Sequence, residues 1–479
     1  MSLPPGPPLP ALAQTLLFIA IPTQFGEALS KRYGDIYTFK NTAFGTEVIL
    51  QSPELVRQVF TGDPDVLHAG EANRGLGAIL GDRSVLLLDG KEHLRHRRLM
   101  LPPFHGERMQ AYAETMRTVC EEEVARWREG ATFSLHPGMQ RVTLDIILRT
   151  VFGIGLGPRH DDLRDRLTTV FNRIQSPIGM LMMMPELQRD LGPFTPWSAF
   201  QRELAAADAL IFAEIEDRRA ERAQATASGE GEGSKRRDDV LSMLLDAKDE
   251  QGQGLTDREL RDELMTLLAA GHETTATAIC WAFERILNHP EVEKKLRQEL
   301  DEVLGDRPIT SADLPKLEYL DATIKEVMRL RPALTGVGRR LTEPMAIGGY
   351  DLPAGTVLVP SIFAVHRRAD LYPEPERFLP ERFLGKKLDP YSYFPFGGGV
   401  RRCIGMAFAL YEMKIMMATM LQKTKLVLAK KGSASVVLRS FVFAPQGGTR
   451  VRFVKRLTPS ARREAPKSEP AAATSTMAS

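Results

Sequence analysis

The stretch FGGGVRRCIG, Phe396 to Gly405, sets one cysteine at the end of a glycine-rich loop and at the start of an apolar helical pattern. Ile404, Ala407, Phe408, Tyr411 and Ile415 recur at helical spacing, so the pattern places the Cys403 sulfur near the positive end of a helix dipole, where a thiol pKa falls. Arg401 adds positive charge, and Gly397, Gly398 and Gly399 can turn sharply and aim backbone N–H groups at a charged sulfur. The expected product is a thiolate, a soft anionic metal ligand. A lone cysteine is more often a small buried hydrophobe and a glycine run more often a turn, so other chemistries must be weighed. The remaining cysteines, Cys120 and Cys280, form no Cys-x-x-Cys pair, which leaves no zinc or iron–sulfur framework. A dinucleotide loop would need glycine where Arg402 stands, and Pro395 fits a central strand poorly. One axial thiolate to haem remains.

These ten residues resemble the haem-binding signature of the cytochromes P-450, F-x-x-G-x-R-x-C-x-G, with Phe396, Gly399, Arg401, Cys403 and Gly405 in register. The resemblance implies haem b, with Cys403 as its proximal iron ligand, Arg401 at a propionate and Phe396 beside the sulfur. A second signature lies in LEYLDATIKEVMRLRP, where Glu326 and Arg329 share one face of a helix that ends at Pro332. Such a pair, exposed, contributes only a few tenths of a kcal/mol. Its position before FLPERF, with Arg382, and before the cysteine loop follows the family's order, which implies a buried structural cluster of Glu326, Arg329 and Arg382.

The third signature is LMTLLAAGHETTATAICWAFERIL, an apolar helical stretch interrupted by Gly271, His272, Glu273, Thr274 and Thr275. Glycine and a β-branched pair weaken a helix interior, and a buried acid demands partners, so drift explains the interruption poorly. The run resembles the family's A-G-x-[DE]-T motif on the distal haem face. That likeness assigns Glu273 and Thr274 to proton delivery to dioxygen, with Thr275 as a secondary candidate. DGKEHLRHRRLMLPPF resembles the family's H-x-x-x-R helix and implies that His93 and Arg97 face the propionates. Arg339 matches a propionate-binding arginine; Arg340 beside it lies on the opposite strand face by alternation. The resemblance draws a substrate pocket from the 69–88 loop, the Pro177 to Pro196 region, Leu267, Ala270, Ala333 to Val337, and Phe441 to Phe443. The run Met180 to Pro185 offers flexible, polarizable surface there.

Lys and Arg total 63 against 61 Asp and Glu, so neither nucleic acid nor an anionic membrane is indicated. The unpaired cysteines fit a reducing, cytoplasmic compartment, with Cys280 an inert core thiol. The apolar run near the N-terminus spans about eight residues against the ~20 needed to cross a bilayer, so no membrane anchor is expected. Residues 1–9 read as a proline-rich segment, 10–457 as one catalytic domain, and 458–479 as a disordered tail. Residues 225–239 read as a flexible surface loop. Helical patterns dominate from about 53 to 331, with strand-like segments at 36–50, 336–360 and 425–456. The fold class is mainly α with small β-sheets, a cytochrome P-450 fold with haem between a long distal helix and the cysteine loop.

The resemblance implies a monomeric monooxygenase of the soluble bacterial type. It would insert one oxygen atom from O2 into a C–H bond or double bond of a steroid, terpenoid, fatty acid or polyketide. No flavin segment or ferredoxin-type cysteine set is read, so electrons are expected from a ferredoxin or flavodoxin with its reductase. Arg95, Arg98, Arg402 and Lys414 are candidates for a basic docking patch. Arg83 and Arg439 are the cations able to reach a substrate carboxylate at the pocket mouth. A haem-thiolate isomerase or dehydratase is disfavoured by the Glu273–Thr274 pair, and a haem-based sensor would have no use for a proton relay.

Overall fold

The computed structural model describes residues 2–104, 106, 108–175, 192, 195–227, 237–439 and 441–457. Met180 to Pro185, most of the Pro177 to Pro196 region, residues 228–236 and the 458–479 tail lie outside the described residues.

A helix of 32 residues, Asp257–Asn288, runs through the core. At 1.5 Å per residue it is about 48 Å long. Thr256 and Glu259 start it with a reciprocal capping box, which satisfies N–H groups that the helix itself cannot. Beyond the first turn it is buried on most sides, so it is stable only where other elements cover it. Leu135–Thr150, Pro196–Ala227 and Met406–Lys423 do so. Leu264, Leu268, Ile279, Trp281 and Phe283 are buried there with Leu144, Phe152, Met416 and Met420. Each such side chain contributes about 1.5–3 kcal/mol by leaving water. The polar run at 271–275 does not break the helix. The Thr274 hydroxyl donates to the Ala270 carbonyl at 2.6 Å, so the side chain is satisfied within its own turn.

The sheets are small. Ile36–Asn41 and Gly45–Leu50 form a hairpin with Ile36 opposite Leu50, and Gly45–Leu50 runs parallel to Val357–Pro360. Arg339–Leu341 and the two-residue strand Leu67–His68 complete five strands. The 339–341 strand buries its first and third residues, so Arg339 points into the molecule and Arg340 away from it. A hairpin, Val436–Arg439 with Val442–Pro445, pairs Leu438 with Phe443 and Arg439 with Val442. Thr132–Ser134, Arg450–Arg456 and Thr424–Leu428 make a third sheet.

Helices also precede residue 53, at Ala11–Ala20 and Pro22–Tyr33. The strands Leu67–His68 and Thr132–Ser134 lie within a region whose pattern reads as helical, and two or three residues are too few for alternation to show. Among the described residues no helix is long and apolar enough to cross a membrane.

Candidate active site

The cysteine loop is threaded against the helix Pro53–Thr61. A Cβ on Gly398 would lie 2.1 Å from a Phe60 ring carbon, and one on Gly399 2.3 Å from the Phe60 carbonyl oxygen. Gly399 also has φ +64°, so both space and backbone require glycine there. The loop closes by the Cys403 N–H donating to the Phe396 carbonyl at 3.0 Å. The following helix begins at Met406 with Gly405 as N-cap, so Cys403 stands ahead of it and not in its first turn. This corrects the dipole argument. The sulfur is solvent-accessible yet set deep among protein atoms, and burial pushes the free thiol up. The Gly405 N–H, Arg97 and Arg402 pull it down without outweighing burial. The polypeptide alone therefore favours the thiol, and a bound metal would supply the charge that removes its proton.

Four basic groups converge near this loop. Arg339 is buried and, among the described residues, donates only to the carbonyls of Gly338 (2.8 Å) and Gly398 (3.5 Å). Burial and the neighbouring Arg401 hold it down to about 10. His93 is buried and held down to about 3 by burial and by Arg401, Arg97 and Arg339. Burial also lowers Arg97, which lies close enough to feel Cys403 and Arg402. Arg401 bonds Asp89, the Leu88 carbonyl at 2.5 Å and the Val85 carbonyl at 3.1 Å. Asp89, which sequence reasoning missed, also accepts the N–H groups of Gly70 and Glu71 at 2.9 and 3.0 Å. Among the described residues it is the one acid whose charge registers on the cluster. Buried cations short of counter-charge are costly, and two haem propionates would supply it. Gly405 fits the same group. It has φ −81° and a Cβ there would meet no protein atom, so nothing in the polypeptide demands glycine. Arg340, by contrast, bonds the Gly355 and Phe44 carbonyls at the surface.

Behind the loop, Glu326 and Arg329 are fully buried and joined by two bonds of 2.7 and 2.8 Å. Arg382 Nε and the Leu379 N–H reach Glu326 Oε1 at 3.1 and 2.9 Å. Arg329 donates onward to the carbonyls of His366 and Pro375, both at 2.8 Å. Burial and Arg329 hold His366 down to about 3, so it is neutral and its Nε2 accepts the Phe394 N–H at 2.9 Å. The cluster is thus tied to the start of the cysteine loop through His366, which no sequence motif singled out.

On the central helix, Leu267, Gly271 and Thr274 are half-buried and Ala270 is exposed, while Leu268, His272 and Glu273 are buried. Positions i, i+3, i+4 and i+7 form one stripe, so among the described residues the middle of the helix has one face less covered than its buried neighbours. Glu273 lies off that stripe. It accepts from His136 Nε2 (2.9 Å), Gln140 Nε2 (2.7 Å) and the Thr277 hydroxyl (3.3 Å). Burial pushes its carboxyl up, but the bonds and charges of His136, His272 and Gln140 outweigh burial and hold it below the usual range. Glu273 and Thr274 are therefore adjacent in sequence and face different surroundings. Thr275 is buried beside Glu412, whose carboxyl burial pushes well up. His136, Gln140 and Glu412 carry no local sequence signal; each acquires its partner only through helix packing.

Ala333 and Val337 are half-buried, and the Phe443 N–H donates to the Ala333 carbonyl at 3.0 Å, which fixes the hairpin to that segment. Phe441 stays exposed. Arg439 is engaged with His136 at 2.6 Å. Arg83 faces Glu92 at the surface, 3.6 Å away. The basic docking patch does not hold together. Arg95 pairs with Asp249 and Glu259, Arg98 with Glu250 and Lys414 with Asp321, which leaves Arg402 of the four without an acidic partner among the described residues.

The family model of cytochrome P450 matches residues 4–449. A putative cytochrome P450 135B1 of Mycobacterium tuberculosis is 40% identical over 452 residues, covering 94% of this chain and 91% of its own. A putative cytochrome P450 135A1 of the same species is 36% identical over 94% of this chain and 95% of its own. The solved structure of cyanobacterial CYP120A1 with retinoic acid bound superposes with a TM-score of 0.79 at 26% identity, covering 95% of this chain and all of that one. The haem domain of cytochrome P450DA gives a TM-score of 0.80 over 97% of this chain, a likeness of fold. The thiol loop, the cationic cradle beside it and the uncovered stripe of the central helix agree with these matches: the chain belongs to the cytochrome P450 family, the haem b-dependent monooxygenases.

Proposed function

We propose that this P450 oxidises lipophilic small molecules of the steroid, terpenoid, fatty acid or polyketide kind, with electrons from a separate ferredoxin or flavodoxin and its reductase. One observation carries the substrate class. The uncovered stripe of Leu267, Ala270, Gly271 and Thr274 offers one hydroxyl and no charge, while Arg83 and Arg439 are engaged elsewhere. A polar substrate would go unpaired at a cost of roughly a few kcal/mol, whereas each buried methylene contributes about 0.8 kcal/mol. The retinoic acid in the CYP120A1 structure, an isoprenoid carboxylic acid, is a ligand of this kind.

Bound haem, ligated by the Cys403 thiolate, would supply reductive activation of O2, with one oxygen atom passing to the substrate and the other to water. Arg339, His93 and Arg97 would hold the propionates, and Arg401 would keep the 85–89 segment in place through Asp89. The Thr274 hydroxyl donates a hydrogen bond to the Ala270 carbonyl at 2.6 Å, so its oxygen lone pairs remain free to accept a hydrogen bond from a neighbour on the open stripe. Glu273 supplies a charged acceptor one residue away, through which protons can be passed. Leu267, Ala270, Ala333, Val337 and Phe441 position the substrate by apolar contact.

A spin-state screen of the haem-loaded protein tests this reading. Steroid, terpenoid or long-chain acyl compounds should shift the haem from low to high spin, and sugars, nucleotides and amino acids should not. A shift produced only by small hydrophilic molecules would overturn the substrate class.

A further inference from the structure

We propose that the helix Ala11–Ala20 lies flat on an anionic lipid surface and holds the protein there without spanning it. The helix is turned inside out. Gln14 is 0% exposed and bonds inward: its Nε2 donates to the carbonyls of Leu9 and Pro7 at 2.8 and 3.3 Å, and its Oε1 accepts the Lys40 N–H at 3.0 Å. On the opposite side Leu12, Leu16 and Ile19, at i, i+4 and i+7, are 61%, 56% and 42% exposed. A helix facing water shows the reverse pattern. Leu9 before the helix, Ile21 after it and Phe44 are exposed as well. The Thr42 N–H donates to the Thr15 hydroxyl at 3.1 Å, which sets the turn carrying Phe44 beside the helix.

This exposure is built into the fold. Thr38 donates its N–H to the Pro5 carbonyl at 2.9 Å and its hydroxyl to the Pro4 carbonyl at 2.7 Å. A Cβ on Gly6 would stand 2.2 Å from the Thr38 carbonyl oxygen, and Phe18 packs on Phe39 with ring centroids 5.8 Å apart. The leucines are thus presented on a fixed mount. Residues 2–26 hold no charged side chain, and cations stand at the border. Arg340 donates to the Phe44 carbonyl at 3.2 Å, and Lys40 is exposed on the strand bonded to Gln14. Glu47 lies near Arg340, but burial pushes its carboxyl up to about 7, so near neutrality it offsets that charge only in part. An apolar strip edged by cations fits acyl chains beneath anionic headgroups. A second copy fits it less well, because a two-fold contact would set the same cations against each other. Ten residues reach about 15 Å, half the thickness of a bilayer core, so the helix rests in the surface plane.

Sedimentation of the full-length, haem-loaded protein with vesicles tests this, using phosphatidylcholine alone and phosphatidylcholine mixed with phosphatidylglycerol. Wild type should bind the mixed vesicles more tightly. Leu12→Gln, Leu16→Gln and Ile19→Gln together should weaken that binding about a hundredfold while haem content and the ferrous carbonyl spectrum stay normal. Lys40→Gln with Arg340→Gln should remove the preference for anionic vesicles. Leu16→Trp gives a reading that needs no loss of binding, since Trp127, Trp197 and Trp281 are all buried. Its fluorescence should be quenched by lipids brominated in the acyl chain. Wild type left in the supernatant with both vesicles, unchanged binding in the triple variant, or no quenching in Leu16→Trp would overturn the proposal. A wild-type dimer that the triple variant abolishes, with no vesicle binding, would assign the strip to a second copy and overturn it too.

Discussion

Replacing Glu326 by glutamine should remove the one negative charge from a site that holds two guanidiniums. Glu326 and Arg329 are 0% exposed at their side chains and Arg382 only 9%, so water cannot screen what is left. The carboxylate accepts from Arg329 Nε and Nη2, Arg382 Nε and the Leu379 N–H. Glutamine keeps acceptors on one oxygen but turns an amide NH2 toward a guanidinium N–H, donor against donor. Breaking a buried pair by removing one partner costs about 3–5 kcal/mol. A typical domain has about 5–15 kcal/mol in all. The loss should therefore read as a clear fall in denaturation midpoint at unchanged m-value. Because Arg329 holds the His366 carbonyl and His366 holds the Phe394 N–H, haem content should fall with it. A loss below about 1 kcal/mol, the value of an exposed pair, with haem retained in full, would refute the argument.

Thr274→Ala should keep haem and substrate binding but divert electrons to peroxide or water; product per electron at the wild-type value would exclude the threonine from proton delivery. Gly399→Ala should fail to load haem, since the new methyl group would stand 2.3 Å from the Phe60 carbonyl oxygen at a φ of +64°, and a normal ferrous carbonyl spectrum would show that the loop yields. Burial pushes the Glu412 carboxyl well above its ordinary value near 4.5, so the folded protein keeps a proton that the unfolded chain loses above about that pH. Stability from this group is present below that value and lost as pH rises, so Glu412→Gln should gain on wild type between pH 5 and 8; a constant difference, followed by denaturant titration, would mean the group is ionised when folded.

The parts of the site legible in the sequence are those whose chemistry is local. Phe396 to Gly405 announces a sulfur in a glycine loop because the glycines are needed within a few residues of it, against Phe60. The E-x-x-R pair is readable as a shared helix face, although its burial is not. What escaped depends on packing between distant segments. His136 meets Glu273 across 137 positions and Arg439 across 303, and nothing near His136 signals either. The cations of the supposed docking patch looked free because Asp249, Glu259, Glu250 and Asp321 lie far away in sequence. The helix-dipole argument failed for a geometric reason. The apolar repeat begins at Ile404, but the helix starts at Met406, and burial outweighs the one amide that reaches the sulfur.

The central claim is that Cys403 would ligate the iron of a haem held by the basic groups Arg339, His93 and Arg97. The ferrous carbonyl spectrum of the haem-loaded protein tests it most directly. Wild type should give the red-shifted Soret band specific to a thiolate ligand, and Cys403→Ser should lose that band; its retention in Cys403→Ser would contradict the assignment.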